Sequence, residues 1–131
     1  MLLDTGGLSY VLLDHGLTPS AIAAIRQAGT TYVSSVSLYE IALKVRLGKW
    51  SAMAPVEPEL PAYITEADAL VIPLTAEVAH LAGRLNWDHR DPFDRLIVAQ
   101  AIVSDLPIVS SDRAIGALGA SPGQGHRATI W

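Results

Sequence analysis

Short apolar blocks alternate along this chain with longer segments in which apolar residues recur at helical spacing. Met1-Leu2-Leu3 is a brief apolar run. Tyr10 to Leu13 and Pro19 to Ala28 read as two helices broken near Gly16, with Thr18 or Ser20 placed to cap the second and Gly29 to stop it. Thr31-Tyr32-Val33-Ser34 is rich in strand formers, and Val36, Tyr39, Leu43 and Leu47 then give a helix over Val36 to Leu47. Pro55-Val56-Glu57-Pro58-Glu59-Leu60-Pro61 interrupts the pattern as a rigid surface connection. Beyond it, a helix over about Glu59 to Glu66 leads to the strand-like Ala69-Leu70-Val71-Ile72-Pro73 and then to a helix near Ala76 to Leu85. A strongly apolar helix follows Pro92, and Pro107-Ile108-Val109-Ser110 reads as another strand. Ala114 to Leu118 predicts one or two further helical turns, Gly116 to Gly125 a glycine-rich loop, and Ala128-Thr129-Ile130-Trp131 a final strand.

Short apolar strands separated by helices predict an α/β fold, a three-layer α/β/α sandwich around a mainly parallel sheet covered on both faces. The 131 residues, 50% of them hydrophobic, read as one domain over 1–131, long enough to bury roughly two-thirds of the unfolded surface. Cysteine is absent, which excludes disulfides and thiolate metal sites and leaves oxygen or imidazole to hold any metal. Met1-Leu2-Leu3 runs into Asp4 without a basic leader or a long apolar stretch, so the expectation is a cytoplasmic protein with no membrane contact. Nine basic residues against thirteen acidic give a net charge of −4, which argues against a broad electrostatic grip on nucleic acid.

The chemistry concentrates around Arg90-Asp91-Pro92-Phe93-Asp94. After Pro92 the residues Phe93, Leu96, Ile97, Val98, Ala99, Ala101, Ile102 and Val103 cover nearly every face, so this helix is expected to be buried rather than to lie on the surface. Asp91 suits its N-cap, Pro92 its first position, and Asp94 gains from the positive end of the dipole. Three other acids belong with Asp94. Asp4 follows the first strand, Asp112 follows Ile108-Val109-Ser110-Ser111, and Glu40 is expected in the first turn of the helix after the second strand. In an open parallel sheet the carboxyl ends of strands and the amino ends of the following helices share one edge, where ligands bind. Each acid also has a structural use: Asp4 and Asp112 can cap helices, and Ser37-Leu38-Tyr39-Glu40 matches a capping box. Together, four carboxylates at one crevice repel and raise one another's pKa values unless a cation compensates. Oxygen-only ligation of this kind suits Mg²⁺ or Mn²⁺ rather than zinc, and such a centre can activate water against a phosphodiester.

The segments Met1-Leu2-Leu3-Asp4-Thr5, Val33 to Lys44, His89 to Ala101 and Pro107 to Asp112, in this order, closely resemble the PIN-domain family. Within it they resemble the VapC-type ribonuclease toxins of toxin–antitoxin pairs, across essentially the whole chain. The resemblance implies Asp4, Glu40, Asp94 and Asp112 as an acidic quartet, with Asp91 as an auxiliary carboxylate or simply the cap. It further implies Mg²⁺-dependent endonucleolytic cleavage of RNA, a cognate antitoxin bound over the active-site side, and a homodimer. Two departures stand out: relatives often carry His after Asp-Thr, where Gly6 stands here, and the glycine-rich tail after Leu118 is longer than usual.

Around the quartet, Arg90, Arg95 and Arg113 are placed to hold phosphate or balance carboxylates, and Thr5 or Ser111 to orient a ligand or water. Lys44, Arg46 and Lys49 suit a solvated helix end, Lys44 at pair spacing from Glu40. His15, His80, His89 and His126 lack metal-ligand spacing to one another and read as surface or structural, and Trp50, Trp87 and Trp131 as packing. Two other function classes fit the same fold. A catalytically inactive PIN-like binding module would lack one of the acids, and all four are present. A receiver-like phosphoacceptor domain would want Lys after a late strand, whereas Arg113 follows Asp112.

Overall fold

The structure is a computed structural model that describes residues 1–119 and 128–131. Five strands, β1 (Leu2–Leu3), β2 (Thr31–Ser34), β3 (Ala69–Ile72), β4 (Ile108–Val109) and β5 (Thr129–Ile130), form one sheet in the order β3-β2-β1-β4-β5. All four pairings are parallel. The helices are α1 (Thr5–Leu12), α2 (Pro19–Gln27), α3 (Ser35–Arg46), α4 (Leu60–Glu66), α5 (Ala76–Arg84), α6 (Pro92–Val103) and α7 (Arg113–Gly119). Two short 3₁₀ turns, Ser51–Met53 and Glu57–Glu59, carry the proline-rich connection.

Alternation along the short strands divides the core into two sides. Leu3 pairs with Val33 and Val109, and these three pack with Leu8, Ala21, Ile41, Leu60 and Ile64 from α1 to α4. Leu2 pairs with Tyr32 and Ile108, and packs with Ile97, Val98 and Ala101 of α6 and Ile115 and Leu118 of α7. On that second side α5 lays Val78 and Ala82 against Ala99 of α6. The α/β/α expectation holds, with the sheet parallel throughout. None of the described helices is long and apolar enough to cross a membrane.

Three local readings need correction. The first helix begins at Thr5 rather than near Tyr10: Asp4 caps it, while Gly6 and Gly7, poor helix formers, conceal its start from propensity. A Cβ on Gly7 would stand 2.9 Å from the Val109 carbonyl oxygen and 3.0 Å from Asp4 Oδ1, so glycine is what lets α1 close on β4. The expected glycine-rich loop starts too early, because Gly116 to Gly119 belong to α7; residues 120–127 lie outside the described part. Burial of α6 is confined to Ile97 to Ala101, and Val103 at its end is exposed.

The sheet order sets up the site. From β1 the chain steps outward through β2 to β3, then crosses to β4 on the opposite side of β1. Connections leave the carboxyl ends of β1 and β4 toward different parts of the fold, which opens a crevice between those ends.

Candidate metal centre

Asp4 is the first residue past β1 and Ser110 the first past β4, and they meet across the crevice. The Ser110 hydroxyl donates to Asp4 Oδ2, and the Gly7 N–H donates to Oδ1, so both carboxylate oxygens are engaged. Ser110 Oγ also accepts the Asp112 N–H at 3.0 Å, and Asp112 Oδ1 accepts the Ala114 N–H at 2.6 Å. Capping thus does for Asp112 what it does for Asp4: it fixes the acid at the amino end of a helix facing the strand ends.

Asp94 arrives from α6. Asp91 caps that helix by accepting the Phe93 N–H at 2.9 Å, which leaves Asp94 in the first turn. His89 Nε2 lies 2.7 Å from Asp94 Oδ2. Among the described residues, His89, Asp94 and Asp112 form the one group of three whose ligand atoms all lie within 4.8 Å of one another.

The electrostatics join Asp4 to this group. Burial, opposed by the Ser110 and Gly7 hydrogen bonds and helped by the charges of Asp94 and Asp112, pushes the Asp4 carboxyl up to about 6. Asp94 is likewise raised by burial, opposed by its His89 bond and reinforced by Asp91 and Asp112. Two carboxyls raised in this way, with a third acid beside them in a partly buried crevice, make a site whose repulsion a cation relieves. The donors, carboxylate oxygens with one imidazole and no thiolate, fit Mg²⁺ or Mn²⁺.

A family model for the PIN domain matches residues 1–120. The chain belongs to the PIN domain family. No curated protein matches it. Among solved structures, VapBC2 from Rickettsia felis bound to a DNA fragment from their promoter is similar at 19% identity and a TM-score of 0.60, covering 85% of this chain and 86% of that one. FitAcB from Neisseria gonorrhoeae is similar at 19% identity and a TM-score of 0.59, covering 86% and 88%. FitAB bound to an IR36 DNA fragment gives 19% identity and 0.55, covering 85% and 84%. At these identities the neighbours establish the fold.

In this PIN domain Glu40 reaches the same edge from α3. It is buried in the second turn of α3, not the first, because the Ser34 hydroxyl oxygen caps that helix by accepting the Val36 N–H at 3.2 Å. The capping-box reading of Ser37 and Glu40 falls with it. Glu40 Oε2 accepts the Thr5 hydroxyl at 2.5 Å, and Oε1 accepts the Lys44 ammonium at 2.5 Å. Thr5 Oγ1 also lies 3.1 Å from Ser37 Oγ. Thr5, the residue beside Asp4, thus ties Glu40 to the same edge.

Arg95 is the clearest departure from expectation. Its Nε donates to Ala82 O at 3.0 Å, its Nη1 to Trp87 O at 2.8 Å and His89 O at 3.2 Å, and its Nη2 to Leu85 O at 2.8 Å. Four carbonyls take up four of the five guanidinium N–H groups, which pins segment 85–91. Ser111 is exposed, and its buried neighbour Ser110 carries the contacts instead. His89, expected to be surface or structural, and Trp87, expected to pack, stack their rings with centroids 4.3 Å apart and planes at 21°.

Proposed function

We propose that this PIN domain is a metal-dependent endoribonuclease, the toxin of a toxin–antitoxin pair of the VapC type. The observation that carries this reading is the crowding of Asp4, Asp94 and Asp112 at the carboxyl ends of β1 and β4, where the charges of Asp94 and Asp112 raise Asp4 and that of Asp112 raises Asp94. Capping accounts for the position of each acid separately, but the fold gains no stability from bringing three of them together without a cation.

Asp4, Asp94 and Asp112 hold the cation, and Glu40 acts on it directly or through water. A bound Mg²⁺ or Mn²⁺ supplies Lewis acidity toward water and charge compensation for phosphate. The chain supplies position: Ser110 and Gly7 fix the Asp4 carboxylate, Ala114 N–H fixes Asp112, and His89 fixes Asp94. Lys44 balances Glu40, so this acid adds little net charge to the crevice. The substrate is single-stranded RNA, whose backbone bends into an open crevice more readily than a duplex does.

A chain with net charge −4 has little to offer DNA by itself. The DNA in the neighbouring VapBC2 and FitAB structures supports an arrangement in which a cognate antitoxin supplies the DNA contacts and covers the crevice. The working unit is a cytoplasmic homodimer bound by that antitoxin.

Purified protein incubated with single-stranded RNA and Mg²⁺ or Mn²⁺ should cut internally, and chelation should stop it. Asp4→Asn should lower the rate by a factor on the order of 10²–10³. Equal cleavage by parent and Asp4→Asn, with contaminating nuclease excluded, would refute the assignment.

A further inference from the structure

We propose that His89 is a direct ligand of the divalent cation through Nε2, and that this nitrogen makes the centre select Mn²⁺ over Mg²⁺. The inference rests on the metal-dependent reading above and adds a donor that the acidic quartet lacks.

Three constraints converge on the His89 ring. One face stacks on Trp87 at 4.3 Å. Its backbone carbonyl accepts Arg95 Nη1 at 3.2 Å, and Arg95 is itself anchored on three other carbonyls. Its Nε2 points at Asp94 Oδ2, 2.7 Å away. A surface histidine pays rotamer entropy to bind anything, whereas this one is already held at the crevice. Its side chain is 21% exposed and that of Asp94 22%, so both are reachable from solvent.

The spacing fits one ion. Opposite ligands in an octahedral shell with bonds of ~2.1 Å stand about 4 Å apart. The donor atoms of His89, Asp94 and Asp112 span no more than 4.8 Å, a difference that small side-chain rotations close. Ligation through Nε2 would need the imidazole neutral with its proton on Nδ1, and the hydrogen bond to Asp94 Oδ2 would give way to two bonds to one cation, any second imidazole proton passing to solvent. Mg²⁺ favours oxygen donors and dehydrates reluctantly, while first-row transition ions accept imidazole readily. An all-carboxylate centre would have little reason to discriminate in this way.

The test uses the full chain stripped of metal and reloaded with Mn²⁺. Pulsed electron paramagnetic resonance should show nitrogen coupling to the Mn²⁺ spin in the parent. The pattern should change when histidine is labelled with ¹⁵N, and the coupling should vanish in His89→Gln and His89→Asn. Calorimetry should give Mn²⁺ affinity at least about tenfold weaker in these variants, with Mg²⁺ affinity changed by less than about twofold. Thermal melts without cation verify that the variants fold, and the labelled parent answers the ligation question even where they do not. Mn²⁺ bound without histidine nitrogen coupling, or variants that weaken Mn²⁺ and Mg²⁺ equally, would overturn the inference while leaving the metal-dependent reading intact. A parent that binds neither ion would overturn both.

Discussion

Asp4 and Asp94 border the same crevice but are held in opposite ways. Asp4 and its neighbour Glu40 are only 6% and 4% exposed, and every one of their carboxylate oxygens already accepts a hydrogen bond from Gly7, Ser110, Thr5 or Lys44. Asp94 and Asp112 are half-buried, and Asp94 has one imidazole partner. The buried acids have every oxygen hydrogen-bonded, while Asp94 can exchange its imidazole partner. Such a division keeps a site preorganised without making it too closed to load.

Releasing Arg95 should break the contrast most strongly. Arg95→Met leaves four backbone carbonyls without their charged donor and should cost about 3–4 kcal/mol in chemical denaturation. The loss should fall on segment 85–91 and His89, and amide exchange should rise there before it rises around Asp4. A cost below about 1 kcal/mol would mean that the segment holds its shape by other means.

The buried half answers to pH. Asp4 is raised from 3.8 to about 6 in the folded state, so the native protein binds its proton more tightly than the unfolded chain. That contribution is present below about pH 4 and is lost as pH rises through 6, a decline of roughly 2–3 kcal/mol in the cation-free protein. Asp94, also raised, acts with the same sign. Denaturation midpoints between pH 4 and 7.5 should show the decline in the parent and a shallower one in Asp4→Asn. A flat parent profile would show that Asp4 is not strained by its burial.

Lys44 sharpens the comparison with the smallest effect. Its side chain is 38% exposed against 5% for Glu40, so solvent screens the pair. A double-mutant cycle of Lys44→Met with Glu40→Gln should give a coupling of about 0.5–1 kcal/mol. A value several times larger would place Glu40 among the groups whose charge must be balanced for the crevice to fold.

The same contrast explains what was legible in the sequence. Asp4, Asp94 and Asp112 were readable because strand ends and helix starts have strong local signals, and parallel topology sends them to one edge. Glu40 was readable as an edge residue but not by turn, since Ser34 and Ser37 both look like caps and only the fold selects Ser34. The destination of Arg95 and the ring of His89 were not readable, because segment 85–91 has no periodicity and its shape comes from contacts with α5 and α6. Ser110 and Ser111 are chemically identical neighbours, and one residue of register decides which faces Asp4.

Gly6 and Gly7 give the crevice one adjustable position beside one fixed position. A Cβ on Gly6 would meet Asp4 oxygens only at 3.6 and 3.8 Å, ordinary contact, whereas on Gly7 it would collide with the Val109 carbonyl at 2.9 Å. In a saturation scan Gly7 would score beside the acids although it offers no functional group, since any side chain there wedges α1 off β4. Gly6 is where variation can reach the chemistry by small steps, adding a group within touch of Asp4 without moving the helix that carries it.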